Sequence, residues 1–402
     1  MPRVLRIVNR FNIGGPTYNA AYLTKHLSPD YKTLLIGGEI EKNESSSIYI
    51  LRDLGVKPII IPEMQRSMQY NGDLVAYYKL KEIIKRFKPD IVHTHASKSG
   101  ALGRWAAYKC GVPVVLHTFH GHVFHSYFNR LKTELVKQTE RRMANISTRI
   151  IALSEMQKYE LSEIHHICYP DKISVIPLGF DLSRFRENTE EKRARFRKEY
   201  SLTNNDIAIG IIGRLSPIKN HDLFISAIRH SRQNTTRSIR AFIIGDGERH
   251  DELVRKCLEE GLTVSTKADN NTADVIFTSW IKDVDIAIAG LDLVCLTSLN
   301  EGTPVSLIEA QASSRCVLSM QVGGIENVVK NHYTGMLTSS SEQFQAVMVQ
   351  LITDSVLRSR LALNGWEHVR ENFHYTRLVN DTKRLYDELL EKKKEYHVQY
   401  QT

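Results

Sequence analysis

Residues 298–309 read Ser-Leu-Asn-Glu-Gly-Thr-Pro-Val-Ser-Leu-Ile-Glu. They follow the apolar run 291–297, Leu-Asp-Leu-Val-Cys-Leu-Thr, whose continuity predicts a buried parallel strand. Thr303 followed by Pro304 predicts the start of a helix, with the Thr hydroxyl as N-cap and Pro at the first helical position, where no amide hydrogen is missed. A strand that leads directly into a helix is the unit from which parallel α/β sheets are built.

The N-terminal end of this predicted helix, called its mouth below, offers a site for an anion. Its first backbone N–H groups have no helical acceptor and carry a partial positive charge, which suits a phosphate or a sugar hydroxyl. Glu309 lies two turns into the predicted helix, and helical side chains tilt toward the N-terminus, so its carboxylate should point back to the same mouth. The sequence therefore predicts an acceptor of hydroxyl hydrogens beside an anion site, with Glu301 at its edge.

Length and composition indicate two α/β domains and an anionic partner. The chain has 402 residues, enough for two domains of roughly 150–200 residues each. It carries 54 Lys and Arg against 45 Asp and Glu, a net charge of +9, which favours a nucleotide, a phosphorylated lipid, a membrane surface or a nucleic acid. Its five cysteines are far apart, which argues against a zinc ribbon or a disulfide framework and favours a reducing cytosol. We find no signal peptide and no apolar run of ~18 residues, so we expect any membrane contact to be peripheral.

The first half of the chain alternates strands with helices. Apolar runs predict strands at 4–8, 33–36, 57–61, 90–94, 112–117, 149–153 and 173–176, mostly with helical patterns between them. This alternation predicts a parallel, doubly wound sheet, in which ligands bind beyond the carboxyl ends of the strands. Basic residues are dense at 79–88 and 130–149, on predicted helices that present either a solvated face or a surface for an anionic membrane.

Two features lie at the predicted strand ends of the first half. Residues 12–17, Asn-Ile-Gly-Gly-Pro-Thr, predict a glycine-containing turn, either an ordinary tight turn or a close approach of backbone to a ligand, but they lack the G-x-G-x-x-G spacing of a dinucleotide site. Six histidines follow two strands: His93, His95, His117, His120, His122 and His125. Because no H-E-x-x-H motif occurs, we interpret most of them as hydrogen-bonded strand-end residues and expect no metal. His120 stands apart because Gly121 follows it, where the chain can expose a side chain.

The second half repeats the α/β pattern. Further strands are predicted at 207–213, 241–245, 275–281 and 316–320, after a boundary near 178. Arg214 and Lys219 follow the strand 207–213 directly, at a turn before a helix. Lys neutralises charge and Arg offers a forked set of donors, so these two cations match a diphosphate, although an exposed basic turn is the alternative interpretation.

Four segments together resemble the retaining glycosyltransferases of the group 1 (family four) class. Residues 301–309 resemble its E-x-x-x-x-x-x-x-E signature, 213–219 its G-R-L-x-x-x-K motif, and 118–124, T-F-H-G-H-V-F, its catalytic-histidine loop. Residues 176–181, I-P-L-G-F-D, resemble its I-P-N-G-V-D linker, with Leu178 in place of the usual Asn. The resemblance covers the whole chain and implies the GT-B fold, α/β with two Rossmann-like doubly wound parallel-sheet domains. It implies domains at 1–178 and 179–374, with a C-terminal helix, 375–395, that packs back on the first.

The resemblance also implies roles for individual residues. His120, with His117 as the second choice, would contact the donor sugar or its diphosphate, together with the catalytic residues Glu301, Arg214 and Lys219. The nucleotide sugar would bind at Gly14, Gly15, Arg214, Lys219, Trp280, Ile281, Glu301, Gly302, Thr303, Pro304, Val305 and Glu309. Glu309 would hold the ribose, and no metal or other cofactor is expected.

We therefore expect a retaining, metal-independent hexosyl- or N-acetylhexosaminyl-transferase of bacterial polysaccharide or glycoconjugate synthesis. Its donor would be a UDP-sugar, with guanosine as the second choice of base, and its acceptor a hydroxyl of a lipid-linked or growing glycan. It would be cytoplasmic, with a peripheral position at the inner face of the cell membrane as an option, and would bind no nucleic acid. The alternatives are a nucleotide-sugar epimerase of the same fold and, from the charge alone, a non-enzymatic module that binds nucleic acid or membranes.

Overall fold

The computed structural model describes residues 1–11, 15–40, 46–65, 70–120, 130–266 and 273–399, with 130–132 and 396–399 described by their backbone alone. The chain forms two compact units. The first unit comprises Met1–Phe180 together with Tyr375–Thr402, and the second unit comprises Asp181–His374. The first change of unit therefore lies at residue 180, close to the boundary at 178 that the sequence suggested, and the second lies at 374.

A parallel sheet is the centre of the first unit. Its described strands are ordered β3-β2-β1-β4-β5-β6-β7. They are β1 (Arg3–Arg10), β2 (Lys32–Gly38), β3 (Ile59–Ile60), β4 (Ile91–His95), β5 (Val114–Thr118), β6 (Arg149–Ala152) and β7 (Ile173–Val175). Each overlaps a predicted strand, because an apolar run bounded by turn residues is the pattern of a strand buried on both faces.

Helices cover both faces of this sheet. They are α1 (Gly15–His26), α2 (Ile48–Asp53), α3 (Tyr70–Phe87), α4 (Ser97–Lys109), α5 (Arg130–Asn145), α6 (Glu155–Tyr159) and, from the C-terminus, α16 (Tyr375–Gln399). The predicted turn at 12–17 was wrong in its described part, because α1 already begins at Gly15; Pro16 is tolerated there since the first turn needs no N–H from it. Gly14 lies outside the described residues.

The C-terminal helix α16 belongs to the core of the first unit. Leu378, Leu385 and Leu389 pack with residues of β1, β4 and β5 in one hydrophobic cluster. Arg377 donates to the carbonyl oxygens of Pro177 and Leu178, at 2.8 and 2.7 Å. This helix therefore completes a unit whose other residues lie about two hundred positions earlier in the chain.

The second unit has a parallel sheet of its own. Its described strands are ordered β10-β11-β9-β8-β12-β13-β14. They are β8 (Asp206–Ile212), β9 (Ser238–Ile244), β10 (Val264–Ser265), β11 (Val275–Ser279), β12 (Leu293–Leu296), β13 (Cys316–Met320) and β14 (Met336–Thr338). Its helices are α7 (Ser183–Arg186), α8 (Thr189–Glu199), α9 (His221–Gln233), α10 (His250–Glu259), α11 (Val284–Gly290), α12 (Val305–Ala312), α13 (Ile325–Val328), α14 (Ser341–Thr353) and α15 (Ser355–Phe373).

The strand order places a switch point in each sheet. In the first sheet the order reverses direction between β1 and β4, and in the second between β8 and β12. Loops that leave neighbouring strands at such a point diverge to opposite faces, and the crevice between them is where ligands bind in open α/β sheets. The segments that follow β8 and β12 are 213–219 and 297–304, which carry Arg214, Lys219 and Glu301.

Two general expectations from the sequence concern the cysteines and contact with a membrane. All five cysteines lie in described segments and are free thiols, which confirms that they form no disulfide framework. In the described segments, no helix is both long enough and apolar enough to span a bilayer.

Candidate active site

The loop after β8 is held by backbone contacts from the loop after β9. Leu215 N–H donates to the carbonyl oxygen of Asp246 at 3.0 Å, and Gly213 N–H donates to Ile244 at 3.0 Å. Gly245 has a φ of +148°, and a Cβ there would lie 1.9 Å from the carbonyl oxygen of Gly213. Only glycine fits at this position, so the sequence Gly-Asp-Gly of 245–247 fixes the turn that carries the predicted diphosphate ligands.

Lys219 and Glu301 form an ion pair at the switch point. Lys219 Nζ lies 2.5 Å from Glu301 Oε1, which also accepts a hydrogen bond from Ser298 Oγ at 2.6 Å. Their side chains are 25% and 11% exposed. A bond from a side chain to the backbone supports the pair, because Thr297 Oγ1 donates to the Lys219 carbonyl oxygen at 3.0 Å. The structure thus brings these two predicted site residues into direct contact.

Gly323 and Gly324 contact the backbone of the loop that carries Glu301. Gly324 N–H donates to the carbonyl oxygen of Glu301 at 2.8 Å. A Cβ on Gly324 would lie 1.9 Å from the carbonyl oxygen of Gly302, and one on Gly323 would lie 2.2 Å from that of Glu301. The glycine pair therefore lets two backbone segments touch, which positions the Glu301 carboxylate from outside its own loop.

Helix α12 begins one residue later than the sequence suggested. The prediction that Thr303 is the N-cap and Pro304 the first helical residue was wrong: Pro304 is the N-cap, and Val305 is the first helical residue. Pro304 has a ψ of +90°, outside the helical range, so it cannot be the first helical residue, and its carbonyl accepts from Leu307 N–H at 3.1 Å. The amides of Val305 and Ser306 then open the helix without helical acceptors, so the free amides on which the predicted anion site depends move by one residue.

Glu309 is the fifth residue of α12, a little more than one turn from its start rather than two. Its side chain is 18% exposed, and Oε1 lies 4.0 Å from Arg184 Nη2. Burial raises the pKa of Glu309 from 4.5 to about 7, although Arg184 acts in the opposite direction. Among the described residues, we find no hydrogen-bond donor to this carboxylate. Its oxygens are therefore able to accept from a ligand.

Arg214 lies at the exposed side of the same edge. Its guanidinium Nη2 contacts Glu248 Oε2 at 3.1 Å, and the two side chains are 70% and 52% exposed. The pair is largely hydrated and weak, so Arg214 can leave Glu248 at small cost. The structure thus leaves its forked donors accessible to an anionic ligand.

Trp280 and Ile281 lie beyond the end of β11 rather than within it, because the strand ends at Ser279. Ser279 has a φ of +54° and its carbonyl oxygen accepts from Gly245 N–H at 3.0 Å. Trp280 is 60% exposed. Both residues therefore follow directly after Ser279, which contacts the glycine turn that supports Arg214, at the carboxyl edge of the sheet.

The first unit gathers four of the six histidines at the end of β4 and β5. His95 Nδ1 lies 2.8 Å from His120 Nε2, and His93 Nε2 lies 2.7 Å from Thr118 Oγ1. His117 Nδ1 contacts Thr94 Oγ1 at 2.9 Å. The interpretation that these are hydrogen-bonded strand-end residues is confirmed for the described four; His122 and His125 lie outside the described residues.

All four described histidines are held in the neutral form. Burial lowers the pKa of His93, His95 and His117 well below 6.5 and that of His120 to about 3. His120, at a place where we expected that the chain can expose a side chain, is half-buried, and its Nε2 faces His95. Over the described residues, no group of three or more His, Cys, Asp or Glu side chains could hold a metal ion.

Helix α4 packs closely on β4 and β5 at two glycines. A Cβ on Gly100 would lie 2.5 Å from His117 Cε1, and one on Gly103 would lie 2.8 Å from Thr94 Cγ2. The two glycines therefore allow the helix to approach the sheet closely.

The sequence analysis missed four residues that contact the predicted site residues. Arg184 faces Glu309, Ser298 donates to Glu301, Glu248 pairs with Arg214, and His95 contacts His120. Ser298 lies in the segment 298–309 and Glu248 lies directly after the turn 245–247, so their positions were a usable signal. Arg184 lies shortly after the predicted boundary near 178, and no local pattern connects it with Glu309.

Chemically, the second unit combines a carboxylate that can accept hydroxyl hydrogens, two cations and a helix mouth at one sheet edge.

Family models for two segments account for most of the chain: glycosyl transferases group 1 at residues 192–368 and glycosyltransferase family 4 at residues 20–184. These ranges correspond closely to the second and first units.

Similar proteins point in the same direction. Over 352 residues, 86% of this chain and 88% of the relative, the chain is 30% identical to the UDP-Gal:alpha-D-GlcNAc-diphosphoundecaprenol alpha-1,3-galactosyltransferase of Escherichia coli. Over 318 residues, 74% of this chain and 68% of the relative, it is 25% identical to a D-inositol 3-phosphate glycosyltransferase of Salinispora arenicola. A crystal structure of Anabaena HepE in complex with UDP has a TM-score of 0.78 at 18% identity, over 96% of this chain and 100% of that one. This last similarity concerns the fold.

Proposed function

Because the chain belongs to the group 1 glycosyltransferases and has their GT-B fold, we propose that it transfers a hexosyl group from a UDP-sugar to a lipid-linked acceptor, with retention of the anomeric configuration. The observation that carries this proposal is the contact of Lys219 with Glu301 at the switch point, beside the mouth of α12. One cation, one carboxylate and free backbone amides thus lie at one sheet edge, and in this proposal a diphosphate sugar would use all three.

The donor in this proposal is a UDP-hexose, with UDP-galactose as the first candidate. Two similarities support it: the Escherichia coli relative is named for UDP-Gal, and the Anabaena structure contains UDP. Glu309 would accept hydrogen bonds from the ribose hydroxyls. Trp280 and Ile281 would lie along the base.

The chemical difficulty is the negative charge that grows on the departing diphosphate. Arg214, Lys219 and the amides of Val305 and Ser306 would stabilise it, and a preorganised set of donors is worth most where charge develops. Lys219 has three N–H donors, so it can contact a phosphate oxygen while it remains bonded to Glu301. Glu301 would in turn orient a hydroxyl of the transferred sugar. Because these cations can balance the charge, we expect the rate to be unaffected by chelators of divalent metals.

His120 would act on the sugar that is transferred. If His120 contacts this sugar while Glu309 and Arg214 hold the nucleotide, the histidine matters chiefly in the transition state. We expect His120→Ala to lower kcat on the order of a hundredfold while UDP affinity changes little. Glu309→Ala should weaken both. Parental turnover by a folded His120→Ala protein would remove this histidine from the mechanism.

The acceptor proposal rests on the surface of α3 as well as on the relative. Tyr70, Leu74, Val75 and Tyr78 share one face of this helix and are 96%, 55%, 43% and 60% exposed. The same helix ends in a basic turn. Apolar side chains beside cations suit an anionic bilayer, in which a polyprenyl-linked acceptor would reside. A second basic helix, α5, has the same amphipathic character.

The test combines a donor screen with product analysis. A UDP-sugar at a hundredfold its Kd should stabilise the protein by roughly 2.7 kcal/mol, which a thermal-shift screen over nucleotide sugars would detect. The protein is then incubated with the selected donor and a polyprenyl-diphosphate-linked N-acetylglucosamine, and the new anomeric centre is assigned by NMR. Transfer with retention supports the proposal. An inverted product, or isomerised donor in an incubation without acceptor, would contradict it.

A further inference from the structure

Two donors converge on one oxygen of the Glu301 carboxylate. Ser298 Oγ donates to Oε1 at 2.6 Å, and Lys219 Nζ donates to the same atom at 2.5 Å. A carboxylate oxygen has two lone pairs, so these two bonds fill the accepting capacity of Oε1. Among the described residues, no donor contacts Oε2, and this atom is not fully buried. A hydroxyl of a ligand can therefore bind Glu301 through Oε2.

The backbone around the two donors holds them at a fixed separation. Leu299 N–H donates to the carbonyl oxygen of Ile218 at 2.8 Å, and Thr297 Oγ1 donates to that of Lys219 at 3.0 Å. The residues on both sides of Ser298 are thus bonded to the segment that carries Lys219. The place of Oε1 is therefore defined where the loops after β8 and β12 meet.

Ser298 is the more constant of the two donors. It is 1% exposed, and one side-chain torsion sets the position of its oxygen. The Lys219 side chain is 25% exposed and has four torsions, so holding it in one geometry costs more conformational entropy. Lys219 would also contact the diphosphate, so a ligand shares its donors, whereas Ser298 is too buried to contact a ligand. Ser298 can therefore act on a ligand through Glu301 and not directly.

We propose that Ser298 is a positioning residue, whose hydroxyl holds Oε1 of Glu301 so that Oε2 is the atom that accepts a hydroxyl hydrogen of the transferred sugar. The identity of this ligand rests on the proposed function. The bond between Ser298 and Glu301 does not, because it exists in the ligand-free protein. Recognition of one sugar hydroxyl thus depends on a residue that does not touch the sugar.

The first measurement compares variants of Ser298 with UDP-galactose as the donor. Ser298→Ala removes the hydroxyl, and Ser298→Thr keeps one on the same carbon. We expect kcat/KM to fall about tenfold or more in Ser298→Ala, because a hydrogen bond to a charged group is worth at least that much, and to be largely restored in Ser298→Thr.

Ser319→Ala is the matched control for the loss of a buried hydroxyl. Ser319 is 0% exposed and lies near the carboxyl end of the neighbouring strand β13. Its Oγ contacts the backbone carbonyl oxygens of Leu296 and Met320, at 3.2 and 3.0 Å, and no residue of the candidate site. We expect Ser319→Ala to keep kcat/KM near the parental value.

The second measurement separates positioning from a general loss of structure. The monodeoxy analogues of UDP-galactose each lack one hydroxyl of the sugar. The analogue that lacks the hydroxyl bound by Oε2 is the one for which Glu301→Ala lowers kcat/KM least. With this analogue, we expect Ser298→Ala to lower kcat/KM about twofold or less, because residues that act on one contact are not additive. A packing defect would lower kcat/KM by the same factor for the analogue and for UDP-galactose.

A failure of this proposal can be distinguished from a failure of the proposed function. If the parent neither binds nor uses a UDP-sugar, the proposed function fails, and a crystal structure of ligand-free Ser298→Ala still tests the positioning. We expect the Glu301 carboxylate to shift there by more than about 0.5 Å, the tolerance within which binding groups must be held, and to keep its place in Ser298→Thr. An unchanged carboxylate in Ser298→Ala, a parental kcat/KM, or an equal loss for both donors would overturn the proposal.

Discussion

Glu309 should make donor binding depend on pH. Its pKa is raised by burial to about 7 in the ligand-free protein. Two ribose hydroxyls that donate to the carboxylate would favour its ionised form and return its pKa toward 4.5. Affinity for a nucleotide sugar should therefore be highest above pH 7 and fall as the carboxyl becomes protonated below it. A nucleotide sugar is a suitable probe, since its diphosphate is esterified at both ends and does not titrate in this range.

The size of the effect follows from the two pKa values. If binding lowers the pKa of Glu309 from about 7 to about 4.5, affinity should fall on the order of 30-fold between about pH 8 and about pH 5.5, or about 2 kcal/mol. The pKa of about 7 already includes the opposing effect of the neighbouring Arg184, 4.0 Å away, so this residue requires no further correction of the value.

Calorimetric titration of UDP-galactose across this pH range is the assay, and Glu309→Gln is the matched control. Gln keeps the size of the side chain and cannot titrate, so its affinity should be lower at about pH 8 and nearly constant with pH. A parental affinity that does not change with pH would refute the reasoning. An equal decline in parent and variant would assign the titration to another group.

The same carboxyl affects stability with a defined sign. Its pKa is higher in the folded than in the unfolded chain, so its ionisation opposes folding as the pH rises from about 4.5 to about 7. Glu309→Gln should therefore raise the Tm at about pH 8 and leave it unchanged near pH 4. No difference in Tm at the higher pH would indicate that the carboxylate is well solvated.

Three further predictions test other parts of the molecule. Arg214→Ala should weaken UDP binding by roughly 1.5–3 kcal/mol in calorimetry, whereas Glu248→Gln should not weaken it; equal affinity of Arg214→Ala and parent would end the diphosphate assignment. Gly324→Ala should lower both Tm and transfer rate, because its Cβ would lie 1.9 Å from a carbonyl oxygen; a parental Tm would contradict this packing. Leu74→Ser should reduce co-sedimentation with anionic vesicles, and equal partition of the parent onto neutral vesicles at low salt would count against the α3 surface.

The longer strands could be predicted because each is a continuous apolar run. β13 was located to the residue at Cys316–Met320, whereas β10 and β14 were not predicted, because neither lies in a longer apolar run. β3 is equally short and was predicted, since it lies in the run 57–61. The start of α12 was misplaced for a local reason: a Thr-Pro pair resembles an N-cap followed by a first helical residue, whereas Pro304 itself is extended and caps the helix.

The residues of the candidate site could be predicted individually, but the contacts between them could not. Lys219 and Glu301 were both identified from motifs that lie about eighty residues apart, because each follows a strand at the same sheet edge. The contact of His95 with His120 depends on the register of β4 against β5, which pairs His95 with Thr118. Register is fixed by the whole sheet, so no inspection of either histidine segment alone could have found it.

The position of α16 has a consequence for the order in which the chain is made. The second unit is complete once the ribosome has passed His374, while the first unit still lacks the helix that fills its core. Tyr386, the phenol between Arg6 and His93, is translated after the whole of the second unit. Domains fold as they emerge, so the later-encoded unit can fold first and the earlier one has to wait. A chain whose translation stops after 374 would keep the residues of the proposed nucleotide site and lose the helix that supports the histidines, so the synthesis of α16 decides when the first unit can be completed.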